Sequence, residues 1–170
     1  MKNLLLPDIT VKNVALLDEA FYAERGIKAL IFDIDNTLVK HTDEKPPQNV
    51  LNYFSLLKEW GISYSIVSNN SVERVSKFCK ELGVPFYAKA LKPRRKYIKM
   101  AMHDMGAKKG ETALIGDQLF TDMLGGNLFG IFTVLVTAVG EDETSFVSFK
   151  RKFEKILLEK NKHKLFEYKK

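Results

Sequence analysis

The chain has 170 residues, 45% of them hydrophobic and 28% charged, enough for one domain burying roughly two-thirds of its unfolded surface and too apolar for a disordered chain. Its single cysteine, Cys79, excludes an intrachain disulfide framework and a cysteine-rich zinc module, which fits an intracellular, cytoplasmic home. The net charge of +6 is local: residues 150–170 hold nine Lys and Arg against three acids, leaving 18 basic and 18 acidic residues before them, so the excess belongs to a tail and no nucleic-acid partner is expected.

Residues 10–25 place Val14, Leu17 and Phe21 at helical spacing ahead of Gly26, which predicts an amphipathic helix. The short apolar run 28–33 ends abruptly in carboxylates and predicts a buried strand. Pro46 and Pro47 open a helix through Val50, Phe54, Leu57 and Trp60, Gly61 closes it, and 62–67 form a second strand ending in Ser68-Asn69-Asn70. Val72, Val75, Cys79 and Leu82 share one face of the next helix, Gly83 stops it, and 84–88 give a third strand.

Pro93 suits the first turn of a helix running to Gly106; residues 112–115 then predict a fourth strand, 119–128 a short helix and 131–136 a fifth strand. Residues 144–158 predict a last helix with Phe146, Phe149, Phe153, Ile156 and Leu157 on the side packed against the sheet and Lys150, Arg151, Lys152 and Lys155 mostly in solvent. Residues 160–170 are expected to fray. The longest apolar run, 131–139, is too short to cross a bilayer core of ~30 Å, and 1–7 lack the apolar core of a signal peptide. Strands alternating with helices imply an α/β fold: a three-layer α/β/α sandwich with a five-stranded parallel sheet, in a single domain over 1–170 whose core spans about 27–140.

In an open parallel sheet, ligands gather beyond the carboxyl ends of the strands. There this sequence concentrates its unusual polar groups: Asp33-Ile34-Asp35-Asn36-Thr37 after the first predicted strand, Ser68-Asn69-Asn70 after the second, Lys92 after the third, and Gly116-Asp117 through Asp122 after the fourth. Carboxylates converging on one mouth repel each other unless a hard cation neutralises them, and an all-oxygen set favours magnesium over zinc. A phosphate would complete the charge balance, with Lys92, the Ser68 hydroxyl and loop amides donating to it. The competing reading, Asp33 and Asp35 as helix caps, accounts neither for several separate strand ends nor for the lysine.

These segments resemble, in order, the four motifs of the haloacid dehalogenase superfamily of magnesium-dependent phosphatases, over roughly 27–136. The resemblance implies that Asp33 attacks phosphorus and forms an aspartyl phosphate while binding Mg2+, and that Asp35 serves as general acid and base with its carbonyl on the metal. It further implies that Ser68, Asn69 and Lys92 hold the phosphoryl group, that Asp117 ligates the metal, and that Asp122 ligates through water or orients Lys92. Only 35 positions separate Asp33 from Ser68 and 24 separate Ser68 from Lys92, which leaves no room for the inserted cap usual in members acting on small metabolites. An open mouth suits a phosphate on a lipid, a protein or a nucleic-acid end.

Leu6-Pro7-Asp8, Arg25-Gly26-Ile27-Lys28, Val67-Ser68-Asn69-Asn70, Lys92-Pro93 and Gly116-Asp117-Gln118 with Gly125-Gly126-Asn127 look like the YqeG-type branch, related to the phosphatidylglycerophosphate phosphatases of mitochondria and plastids. The implied substrate is a lipid phosphate, phosphatidylglycerophosphate. The implied setting is the inner face of a membrane, reached peripherally through the basic tail at an anionic surface. A protein or nucleic-acid-end phosphatase is the alternative within the fold, and a non-catalytic phosphate-binding module the alternative outside enzymes.

Overall fold

The computed structural model describes residues 3–140 and 145–169, and the side chains of all of these except 145–149. Six parallel strands form one sheet: β1 (Ile9–Val11), β2 (Ala29–Phe32), β3 (Ser63–Val67), β4 (Phe86–Tyr87), β5 (Thr112–Gly116) and β6 (Phe132–Val136), in the order β1-β6-β5-β2-β3-β4. Helices α1 (Glu19–Glu24), α2 (Gln48–Glu59), α3 (Val72–Leu82), α4 (Lys96–Asp104), α5 (Leu124–Phe129) and α6 (Ser145–Lys160) connect and cover them. β2 is buried along its whole length, as expected of a central parallel strand covered on both faces. Leu30 and Phe32 point into a core with Phe21, Tyr53, Phe54 and Phe78, while Ile31 points the other way to Ile98, Leu114 and Met123. The three-layer α/β fold is as expected, and no inserted domain interrupts the run from β2 to β5.

The sixth strand arises where a single helix over 10–25 is expected. Ile9 and Val11 are buried with Thr10 between them, a period-two pattern of β-branched residues that pairs with β6 in register Ile9 to Val134 and Val11 to Val136. Asn13 then caps a 3-10 turn (Val14–Leu16), and Asp18 caps the short α1, its side chain accepting from the Phe21 amide at 3.0 Å. Two caps five residues apart cut the apparent helix into pieces.

Three further expectations fail for identifiable reasons. On α3 the buried residues are Val75, Phe78 and Cys79, and Val72 at its first position is exposed. Pro93 sits in a turn, with α4 beginning at Lys96. The tail does not fray: the Thr10 amide donates to the Phe166 carbonyl and the Tyr168 amide to the Thr10 carbonyl, both at 2.8 Å. These bonds satisfy the open edge of β1, and Tyr168 lies edge-on to Phe21 with ring centroids 4.7 Å apart.

The helix expected over 144–158 is present as α6, but it is turned. Phe153 and Ile156 are 53% and 48% exposed, whereas Glu154 is buried. Leu157 is partly buried; Thr144 and the side chains of Phe146 and Phe149 lie outside the described residues.

Candidate active site

The chain moves outward from β2 in one direction to β3 and β4 and then crosses to β5 on the other side of β2. This reversal opens a crevice at the carboxyl ends of β2 and β5, with Asp33 ending one strand and Asp117 the other. The Asp33 amide still belongs to the ladder, donating to the Ile115 carbonyl at 3.0 Å. A tight loop follows, closed by the Asn36 amide donating to Val39 at 2.7 Å and anchored by buried Ile34, Leu38 and Val39. Asn36 takes φ of +61°, a left-handed conformation that asparagine tolerates better than most residues.

Gly116 ends β5 because no side chain fits there: a Cβ would lie 2.3 Å from Asp122 Cγ. That close approach brings Asp122 back across the strand end. A π-helical turn, Leu119–Met123, carries it, and its carboxylate accepts from the Gln118 amide at 3.1 Å. Thr37 donates its hydroxyl to Asp117 Oδ1 at 3.1 Å, joining the first loop to the last.

Lys92 links the two strand ends. Its Nζ lies 3.0 Å from Asp33 Oδ1 and 2.7 Å from Asp122 Oδ1, with the lysine and Asp122 side chains almost wholly buried. Asp33, Asp117 and Asp122 each offer an oxygen within 4.8 Å of the others. Asp33 Oδ1, Lys92 Nζ and Asp122 Oδ1 are all buried and face one another. An all-carboxylate, buried set of this kind fits a hard divalent cation, and the lysine beside it fits a phosphate oxygen.

Burial pushes the Asp33 carboxyl up to about 6, with Lys92 opposing and Asp122 adding to the rise. Burial likewise pushes Asp117 up to about 7 against the pull of Arg151, with Asp122 and Asp33 contributing. For Lys92, burial alone would favour the neutral amine, but the Asp122 and Asp33 carboxylates more than offset it and hold the ammonium form above its ordinary range. Such displacements are what a cluster of like charges in low dielectric produces.

Asp35 stands apart from the trio. Arg74 Nη2 donates to its Oδ1 and Asn70 Nδ2 to its Oδ2, each at 2.9 Å. Ser68 is buried at the end of β3, its hydroxyl accepting from the Asn70 amide at 3.2 Å. Asn69 spends its side chain on the lysine loop: its Oδ1 accepts from the Lys92 amide at 2.6 Å and its Nδ2 donates to the Lys92 carbonyl at 3.3 Å. It thus positions the lysine backbone. Arg94, Arg95 and Lys96 remain exposed.

Sequence reasoning missed Arg74, Arg151 and Glu154 and gave Asn70, named there with Ser68 and Asn69, no role of its own. Asn70 and Arg74 belong to the third loop and the first turn of α3, where the Ser71 cap, accepting from the Arg74 amide, marks the helix start from which Arg74 reaches back. Arg151, on α6, is expected in solvent with Lys150, Lys152 and Lys155, and Glu154 on the same helix has no role in the sequence reading. Arg151 Nη1 donates to the Asp117 carbonyl at 2.7 Å and its Nη2 to the Asp117 carboxylate. Glu154 Oε1 accepts from the Leu119 and Phe120 amides at 2.9 and 3.2 Å. Their i, i+3 spacing was visible, but their partners become neighbours only in the folded chain.

A cleft of about 840 Å³ lined by Leu51, Phe54, Ile62 and Met105 borders the start of β3, at the opposite end of that strand from Ser68. It contains none of the converging groups described above.

A model of the family described as Mitochondrial PGP phosphatase matches residues 1–139. The "Probable phosphatase YqeG" of Bacillus subtilis (strain 168) is 40% identical over 164 residues, covering 96% of this chain and 95% of the relative. "Phosphatidylglycerophosphate phosphatase 1, chloroplastic/mitochondrial" of Arabidopsis thaliana is 23% identical over 161 residues, covering 86% of this chain and 44% of that protein. Among solved structures, the cobalt-bound deoxy-D-mannose-octulosonate 8-phosphate phosphatase of Haemophilus influenzae shares the fold, with a TM-score of 0.54 at 18% identity, covering 79% of this chain and 89% of that one. With this family model matching most of the chain and a named phosphatase 40% identical over nearly all of it, the chain belongs to the family described as Mitochondrial PGP phosphatase.

Proposed function

We propose that this phosphatase is a magnesium-dependent phosphomonoesterase working through an aspartyl phosphate on Asp33, with a lipid phosphate, phosphatidylglycerophosphate, as its substrate. The observation that carries the chemistry is the buried trio Asp33, Asp117 and Asp122 with Lys92 Nζ between Asp33 and Asp122. Asp33, Asp117 and Asp122 would hold the ion, with the Asp35 carbonyl as a further ligand, and the octulosonate phosphatase of the same fold was solved in a cobalt-bound form. When bound, magnesium supplies charge neutralisation and polarises the phosphoryl oxygens.

Asp33, whose carboxyl burial pushes up to about 6, attacks phosphorus through a carboxylate oxygen. The bond from phosphorus to the leaving oxygen breaks as Asp35 delivers a proton to that oxygen. Asp35 then takes a proton from water, whose oxygen attacks phosphorus, and the bond to Asp33 breaks to release phosphate. Lys92 and the Ser68 hydroxyl bind the equatorial oxygens, where charge stabilisation counts most. Arg74 and Asn70 hold the Asp35 carboxylate in place between the two half-reactions.

The lipid assignment is supported by the family match and the Arabidopsis relative and by the absence of a cap between β2 and β4. Among the described residues no helix is long and apolar enough to cross a membrane. Peripheral attraction to an anionic leaflet would come from the exposed Lys160, Lys162, Lys164 and Lys169, each contributing about 1 kcal/mol near the surface.

A phosphate-release screen tests this reading. Phosphatidylglycerophosphate in mixed micelles is expected to give the highest kcat/KM when compared with phosphopeptides, end-phosphorylated oligonucleotides and sugar phosphates. Asp33→Asn should release none, and chelator should silence the wild type. Preference for a phosphopeptide or an oligonucleotide end would replace the lipid reading, and phosphate binding without release would point to a binding module.

A further inference from the structure

α6 holds the loop after β5 by three polar side chains. Lys150 Nζ donates to Gln118 Oε1, Glu154 accepts from the Leu119 and Phe120 amides, and Arg151 grips both the carbonyl and the carboxylate of Asp117. Beside these contacts the seam between α6 and the sheet contains a cavity of about 370 Å³, bordered by Leu119, Leu135, Val136 and Leu158. The loop is the polar part of the docking of this helix, beside Leu157 and Leu158 packed on the core, and the centre of that polar grip is a carboxylate of the metal trio.

Asp117 has a fully buried side chain, while that of Arg151 is 20% exposed, so the guanidinium has an outlet to solvent and the carboxylate does not. Both carboxylate oxygens of Asp117 already have donors, Oδ1 from Thr37 and Oδ2 from Arg151, so a metal ion that takes this carboxylate meets the guanidinium there. Glu154 Oε2, 3.8 Å from Arg151 Nη1 and buried, gives the guanidinium a second acid to turn to. Two cations sharing one buried carboxylate repel each other at short range.

We propose that Arg151 is the resident counter-cation of Asp117 and that it competes with the divalent cation for this carboxylate, so that metal loading loosens α6 from the 117–120 loop and docked α6 lowers metal affinity. The reciprocity is required by linkage: whatever factor the docked helix takes from metal affinity, metal takes from docking. Arg151 is thus a positioning residue acting through Asp117. The inference rests on the metal-dependent reading of the site.

The test uses the full chain and Mn2+ or Mg2+ as the probe. Calorimetric titration with Mn2+ should give a Kd roughly tenfold lower for Arg151→Met than for the wild type, within the usual range for coupled sites, with Arg151→Lys near the wild type. Hydrogen exchange on the wild type should show the amides of 150–160, and those of Leu119 and Phe120, exchanging faster with saturating Mg2+. In Arg151→Met these amides should exchange at the faster rate with or without metal. Equal or weaker Mn2+ binding by a folded Arg151→Met overturns the competition, as does metal binding by the wild type with unchanged protection in α6. Should Arg151→Met fail to fold, the exchange experiment on the wild type decides alone. No metal binding by the wild type at all would remove the metal reading of the site and this inference with it, a result distinct from binding without coupling.

Discussion

The mouth at the ends of β2, β3 and β5 and the C-terminal segment from α6 onward are built by opposite rules. At the mouth, Asp33, Ser68 and Asp117 each follow an apolar strand directly, so hydrophobic burial of the strand fixes where the carboxylate or hydroxyl emerges, while Lys92 and Asp122 come back to it from the loops beyond β4 and β5. On α6 the same force is overruled. Phe153 and Ile156 are left about half exposed, while Lys150, Arg151 and Glu154 turn inward to Gln118, Asp117 and the amides of Leu119 and Phe120. Half-exposing a large apolar side chain forgoes about 1 kcal/mol, whereas a buried carboxylate left without a partner costs several. Polar satisfaction of the site outweighs amphipathic packing of the helix.

The sharpest way to break the mouth is to remove its central cation. Lys92→Met should lower kcat by about 10²–10³-fold through lost phosphoryl stabilisation. It should also destabilise the fold by roughly 3–5 kcal/mol, because Asp33 and Asp122 are then buried without their counter-charge; denaturant unfolding measures this directly. A saturating divalent cation should restore part of the stability and little of the rate. Arg74→Met should be milder, about tenfold to a hundredfold in kcat with KM little changed, since Asp35 loses its support while the phosphate site remains. A larger loss with a poor alkyl leaving group than with an activated phenol ester would locate the defect at Asp35.

The pH dependence of stability separates the two regions further. Asp33 and Asp117 have folded-state values of about 6 and about 7, above the ordinary 3.8. The native state therefore holds more protons than the unfolded chain across this window, and stability of the metal-free protein should fall as pH rises from about 4 to about 7. The slope is at most about 1.4 kcal/mol per pH unit for each group. A bound divalent cation, which requires both carboxylates ionised, should flatten or reverse that fall, and thermal unfolding with and without Mg2+ reads it out.

In the C-terminal segment the smallest effect is expected. Tyr168→Ala removes the ring packed on Phe21 and weakens the pairing of 166–168 with β1, which should cost about 1–2 kcal/mol in stability and leave kcat for a soluble phosphate ester unchanged. Removing residues 159–170 would for the same reason expose the β1 edge, so the membrane contribution of the tail is better read by neutralising Lys162, Lys164 and Lys169 and measuring vesicle sedimentation.

What was legible in the sequence follows the same division. β2, β3 and β5, the helices between them and the order of Asp33, Ser68, Lys92 and Asp117 were all readable, because apolar runs and glycine stops are local signals that tertiary packing reinforced. β1 was hidden because Ile9, Thr10 and Val11 form only three residues of strand, shorter than the helical pattern that Val14, Leu17 and Phe21 suggest. The inward turn of α6 was hidden because Arg151 and Glu154 answer to groups more than thirty residues away. The edge pairing of Phe166 and Tyr168 with Thr10 spans more than 150 residues, beyond the reach of any local pattern. Non-local polar partnership leaves no periodicity in a sequence.

The central claim is that Asp33 is the nucleophile of this phosphatase, and trapping the intermediate tests it most directly. Rapid acid quench during turnover of phosphatidylglycerophosphate with Mg2+, followed by borohydride reduction and mass spectrometry of the peptide containing Asp33, should convert that aspartate to homoserine. The conversion should be absent in Asp33→Asn and absent when metal is chelated. Steady turnover with no trapped acyl phosphate at Asp33, or trapping at another residue, would contradict the account.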